Sequence, residues 1–270
     1  HRYAKEAQVD LSAQVLDARK LRVIAESVAK CDKLDAAVLA ELARSNLRLP
    51  VCYVPDDDVF ALREHLRART DLVRIRTMLK NRVHAILHRR GILLEGDLFT
   101  KAGRNALQEL TMDDAGRAIM DRFLGQLDAI ADAVDESTKQ LKELGKTDRW
   151  CKPLAIATTM PGIGLITGLT VLAELGSIDR FKSRASVSNW AGLVPTIRDS
   201  NTKHYSGHIT RRGSTHLRGA MTEAAWQAIS RSRRYGAMYT RIGAKKSKQI
   251  AIVAVARQML EDVWTMLRKD

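Results

Sequence analysis

From Phe123 to Leu144, apolar residues return at alternating steps of four and three: Phe123, Leu127, Ile130, Val134, Leu141 and Leu144, with Ser137 in one apolar place. Only a helix brings such positions onto one stripe, and a seven-residue repeat along that stripe asks for a second helix beside it. The pattern predicts a helix over Asp113–Leu144, its outer positions carrying Asp121, Asp128, Asp132, Asp135, Glu136 and Glu143. Upstream, Leu62, Leu66, Val73, Leu79, Val83 and Ile86 trace a second seam, so a long helix is expected over Asp58–His88, with Gly91 as its stop signal. Its other faces are basic, from Arg63, Arg67, Arg69, Arg74 and Arg76 to Lys80 and Arg82. A basic helix followed by an acidic one predicts an antiparallel coiled-coil hairpin or a dimer arm; ordinary helix packing within a globular domain is the equal alternative.

The flanks differ. Residues 1–57 read as mixed structure, with a short strand at Gln8–Leu11, helices over Asp17–Lys30 and Lys33–Ser45, and a β-prone stretch at Leu49–Val54 ended by Pro55. Residues 149–270 read as a compact helical domain, with helices over Pro153–Thr158, Gly164–Leu175, Arg184–Ala191, Thr215–Ser230 and Lys248–Arg268. Arg231–Lys246 reads as a polar, basic connector. The expected fold class is mainly α with a small α/β N-terminal part, in three regions: 1–57, 58–148 and 149–270.

Charge is concentrated. The chain of 270 residues has a formal net charge of +14, and from Arg180 to Asp270 there are 18 Lys or Arg against 5 Asp or Glu. Such an excess attracts polyanions, because neutralised phosphates release their counterions. Aromatics are 5% of the chain, and all Phe and Trp can be placed in cores, so a single-strand binder built on stacked aromatics is disfavoured. No apolar run is long enough for a bilayer, and no signal or lipidation motif is present, so no membrane partner is expected. Cys31, Cys52 and Cys151 match no metal spacing and read as free thiols in a reducing cytosol.

Three segments could carry chemistry. Met160-Pro161-Gly162-Ile163-Gly164 ahead of an apolar helix has the form of the turn in helix-hairpin-helix modules, in which Gly162 and Gly164 let backbone amides approach a phosphate at a helix N-terminus. A plain tight turn is the alternative. Asp32 and Asp35 stand three apart at a helix start, where both carboxylates can approach one Mg²⁺ or simply stabilise the helix end. The stretch from Gly192 to Arg218 reads as a polar, basic loop: Ser200 has Arg198 and Lys203 close in sequence, and Arg211, Arg212 and Arg218 follow. A serine that attacks phosphorus needs such cations; a loop that only grips phosphates has them too. Ser206 and Ser214 rival Ser200 on composition. His65, His84 and His88 form no metal pattern and read as surface or packing residues.

Three blocks taken together, KCDKLDAAVLAELA, RTMLKNRVHAILHRRG, and MPGIGLITGLTVLAELGSIDRFKSRASVSNWAGLVP running into RRGSTHLRGAMTEAAW, resemble the DEDD-type insertion-sequence transposases over essentially the whole chain. The resemblance implies a RuvC-like, RNase H-like N-terminal domain whose four acids hold Mg²⁺, and a C-terminal domain whose serine attacks DNA and forms a phosphoserine link. It further implies a homo-oligomer, a dimer or tetramer with composite sites, guided by a structured bridge RNA. By motif, Asp32 and Asp35 match the last two acids, and Ser200 matches the serine shortly after Gly-Leu-Val-Pro. The family's Ser-Ser-Gly-Gly reads here Asp199-Ser200-Asn201-Thr202, which keeps Ser206 as the alternative. The first Asp and the Glu of the pattern have no match before Gln8, so the chain is expected to begin partway through the RuvC-like domain and to lack a complete Mg²⁺ site of its own. A non-enzymatic DNA- or RNA-binding protein built on the Pro-Gly-Ile-Gly turn and the basic C-terminal region is the other expectation.

Overall fold

The computed structural model describes residues 15–16, 32–45, 49, 51–200 and 203–270; at Asp32, Leu34, Asp35 and residues 197–200 and 203–206 it describes the backbone alone. The described chain is mainly helical and falls into two compact units, His1–Asp56 and Asp57–Asp270. Among the described residues no helix is long and apolar enough to cross a membrane.

In the first unit, α1 covers Asp32–Arg44, so Asp32 and Asp35 occupy its first turn. Leu16 and Val51 form an isolated antiparallel bridge, and the Cys52 N–H donates to the Val15 carbonyl at 2.6 Å. The β-prone stretch around Val51 thus pairs. The strand expected at Gln8–Leu11 and the helix expected at Asp17–Lys30 lie outside the described residues.

The second unit is built on two long helices, α2 (Asp57–Arg89) and α4 (Asp114–Leu144), with a short α3 (Lys101–Glu109) between them. They run antiparallel. Val59, Leu62 and Leu66 at the start of α2 share a core with Leu141 at the end of α4, whereas Val83, Ile86 and Leu87 meet Met120 and Leu124. Next to the polar seam position at Ser137, Arg69 Nε donates to Thr138 Oγ1 at 2.8 Å. Helix α3, for which the sequence raised no expectation, closes the far end through the fully buried Leu107. Asp113 caps α4 by accepting from the Gly116 N–H at 2.9 Å, and it also receives two donors from Arg90. These contacts hold its carboxyl down to about 2, the Arg90 hydrogen bond contributing most. Gly116 matters here because a Cβ would fall 2.5 Å from the Arg90 guanidinium.

The C-terminal layer wraps α6 (Leu165–Leu175), which is buried along its whole second half. A helix apolar on all sides belongs at a centre. Around it stand α5 (Asp148–Thr158), α7 (Arg184–Ala191), α8 (Thr215–Arg231), α9 (Arg233–Lys245) and α10 (Lys248–Lys269). Arg63 of α2 donates to the Ala173 and Glu174 carbonyls, placing a cation at the negative C-terminal end of α6.

Two expectations are corrected here. Arg231–Lys246 is not a connector: it contains helix α9. Its apolar period is sparse in a basic background, but Tyr235 is 4% exposed and Met238 and Tyr239 pack on the core. Tyr235 donates to Asp262 Oδ2 at 2.9 Å, and burial, reinforced by this carboxylate, drives the phenol well above its ordinary pKa. Nor is Gly192–Arg218 wholly a loop. It holds an antiparallel strand pair, β1 (Pro195–Ser200) and β2 (Lys203–Ile209), with Ser200 paired to Lys203. Polar side chains hid the strands, because their pairing rests on backbone bonds rather than on an apolar face.

Candidate nucleic-acid interface

The Pro-Gly-Ile-Gly segment forms the turn between α5 and α6, with Met160 and Ile163 buried beneath it and the Ile163 N–H donating to the Met160 carbonyl at 3.1 Å. Its glycines do different things. Gly162 has φ +88, and a Cβ there would lie 2.3 Å from the Ala224 carbonyl of α8. That close backbone approach is to the protein's own core. Gly164 is exposed, is the N-cap of α6 without a side-chain hydrogen bond, and has nothing within 4 Å of where its Cβ would be. The open glycine, not the strained one, sits where a phosphate could approach the helix end.

The first turn of α6 opens on a groove of about 390 Å³, lined there by Ile166 and Thr167. Thr215 and His216, from the first turn of α8, line it too. The first turns of both helices thus border one cleft, which continues along their sides to Glu174 and Glu223. The opposite wall is α2, with Arg67, Arg69 and Arg74. These arginines are engaged: Arg67 lies 3.7 Å from Glu174, Arg74 lies 3.3 Å from Asp71, and Arg69 is bonded to Thr138. Burial and the neighbouring Arg76 lower the Arg69 pKa. Sequence patterning missed this groove and His216, because the helices that form it are separated by about a hundred residues of chain.

The basic segment leading into α8 is shaped by backbone contacts. Gly192, φ +70 at the end of α7, would place a Cβ 2.0 Å from the Arg212 carbonyl, and Gly213, φ +83, would place one 2.1 Å from the Trp190 carbonyl. Arg211 adopts φ +52, uncommon for a residue with a side chain. Arg218 Nη1 donates to the carbonyls of Ala191, Arg212 and Gly213, pinning the segment to α7. Burial, then the nearby Arg211, lowers its pKa. Arg211 and Arg212 are exposed. The structure thus brings Arg211, Arg212 and Arg218 together. Of Arg198, Ser200, Lys203 and Ser206 it gives backbone placement on the hairpin, and of Asp32 and Asp35 backbone placement on α1. Among the described residues no three of His, Cys, Asp or Glu come together as a metal site.

Comparison with known proteins matches both ends of the chain. Residues 154–240 match a family model described as "Transposase IS116/IS110/IS902 family", and residues 4–90 match a model of the DEDD type described as "Transposase". The uncharacterized protein of insertion element IS110 from Streptomyces coelicolor is 26% identical over 93% of this chain and 73% of its own length. The transposase for insertion sequence element IS1111A from Coxiella burnetii is 26% identical over 89% of this chain and 67% of its own. The chain spans about two thirds to three quarters of these relatives. With the Pro-Gly-Ile-Gly turn and the α7–α8 clamp inside the C-terminal match, and α1 and α2 inside the N-terminal one, the chain belongs to the IS116/IS110/IS902 family of insertion-sequence transposases.

Proposed function

We propose that this chain handles DNA in transposition, with the nucleic-acid backbone lying along the groove where the first turns of α6 and α8 converge. That convergence is the observation that carries the proposal. Gly164 at the end of α6 and the exposed guanidinium groups of Arg211 and Arg212, which stand outside the groove's lining, are the proposed contacts for phosphates flanking it, while Arg218 holds the segment in place. Backbone grip of this kind carries no sequence preference. A structured bridge RNA is the proposed source of target choice, and a homo-oligomer the proposed working form.

For strand transfer, Ser200 is the proposed nucleophile. Its Oγ attacks phosphorus, a P–O bond of the strand breaks, and the displaced oxygen leaves as a hydroxyl, the serine proton being relayed to it through solvent or a neighbouring base. Attack by another strand's hydroxyl reverses the link. Arg198 and Lys203, neighbours on the same hairpin, are the proposed charge stabilisers. The match to a DEDD model supports an acidic site for a divalent cation, with Asp32 and Asp35 as the candidates. Two carboxylates in one turn of α1 suit a hard cation such as Mg²⁺.

The test is covalent trapping. Wild-type chain, Mg²⁺, the element's RNA and DNA bearing the element's ends are expected to give a protein–DNA adduct. Ser200→Ala is expected to abolish it while changing DNA affinity by less than about twofold. An adduct that survives Ser200→Ala but is lost in Ser206→Ala moves the nucleophile. DNA binding without an adduct in any variant favours the non-enzymatic alternative.

A further inference from the structure

We propose that Trp226, held by Tyr239, is a stacking platform for an unpaired nucleobase of the nucleic acid bound in the groove; this rests on the nucleic-acid reading above. Composition suggested that every Trp could be buried, yet Trp226 is 47% exposed. Its ring is fixed edge-on against Tyr239, with centroids 5.8 Å apart and planes at 63°, and Tyr239 packs on the core. An exposed but orientationally held indole suits stacking, because little freedom is lost when a base lands on it.

Its position relates it to the groove. His216, Gly219 and Glu223 of α8 line that cleft, and Trp226 is the next residue on the same helix face. A strand leaving the groove along α8 reaches the indole. The charge of the segment that holds Tyr239 selects the occupant: from Arg231 to Lys248 there are seven Lys or Arg and no Asp or Glu, all seven exposed, against the single acid of α8, Glu223. Arg234 is paired with Asp262 at 3.0 Å. A second copy of the chain docked here about a two-fold axis would set this segment against itself, like charge on like. A polyanion with an aromatic face fits both features. Within a duplex the base faces are already stacked on one another, so the platform selects unpaired nucleotides, in DNA or RNA.

The test compares the full wild-type chain with Trp226→Ala and Trp226→Phe on three probes of equal length: oligothymidylate, oligouridylate and duplex DNA. Trp226→Ala is expected to weaken binding of one or both single strands by about tenfold, with duplex affinity changed by less than about twofold and Trp226→Phe retaining most of the single-strand affinity. The single strand that responds identifies the source of the base. Unchanged single-strand affinity in Trp226→Ala, an equal loss on duplex, or a wild-type dimer that becomes a monomer in the variant by light scattering would each overturn the platform while leaving the groove reading intact. A wild-type chain that binds none of the probes at low salt overturns both.

Discussion

The arm formed by α2, α3 and α4 and the layer from α7 to α10 are both packed helices, yet they dispose of charge in opposite ways. From Asp57 to Asp148, sixteen Lys or Arg face sixteen Asp or Glu, a net charge of zero. Many of them pair within the arm, as in Arg90–Asp113 at 2.8 Å, Arg104–Asp128, Arg117–Asp121 at 3.7 Å and Lys146–Glu143 at 2.6 Å. From Arg180 onward there are 18 cations against 5 acids, and two of those acids are buried and engaged. Glu261 accepts from Ser188 at 2.5 Å and from Arg257 at 2.9 Å, and Asp262 accepts from Tyr235. The arm's basic helix meets its counterions inside the protein. The layer leaves its excess facing solvent, and that region supplies the attraction for a polyanion.

The largest effects that probe this contrast are on stability. Leu141→Ala, at a fully buried seam position, is expected to cost about 2–5 kcal/mol by chemical denaturation. In the layer, Gly162→Ala is expected to cost more than about 1 kcal/mol through its positive φ and the Ala224 carbonyl, whereas Gly164→Ala is expected to cost less than about 1 kcal/mol. Equal costs at the two glycines would erase the distinction between packed and open turn positions. Next come effects on binding. Reversing Arg211 and Arg212 to Glu is expected to weaken duplex binding at least tenfold near 0.1 M salt and to lower the salt slope by about two. Reversing Lys139 and Lys142 in the arm is expected to change binding by about twofold; a tenfold loss there would break the comparison. The smallest effect is on pH dependence. Because the Asp113 carboxyl is depressed from 3.8 to about 2, its contribution is present above about pH 4 and is lost as pH falls toward 2. The difference in Tm between wild type and Asp113→Asn is expected to be present at neutral pH and to vanish near pH 2.

The long helices were legible because their seams repeat over many turns. The hydrogen bond from Arg69 to Thr138, next to the polar seam position at Ser137, was not legible, since it joins residues 69 apart in the chain. Helix α9 was not legible, because a few packed residues (Tyr235, Met238 and Tyr239) carry it among arginines and lysines. The hairpin was missed for a related reason: its register is set by backbone pairing, which leaves little trace in composition. At the candidate site, the Pro-Gly-Ile-Gly turn could be located from sequence, but which glycine is packed and which is open depends on α8, more than fifty residues away. Trp226 shows the limit of composition most directly: its count is known from the sequence, its exposure only from the fold.

The clamp at the end of α7 has a mechanical consequence for the hairpin beyond it. Gly192 and Gly213 bring the two chain segments that flank β1 and β2 into backbone contact, and Arg218 pegs both. The hairpin thus acts as a lever with a fixed root. Its longer strand has seven residues, so Ser200 and Lys203 stand roughly 20 Å from that root at about 3.3 Å per residue. A tilt of a few degrees at the peg displaces the tip by an ångström or more, and shortening Arg218 to Ala alters where Ser200 can reach without touching it.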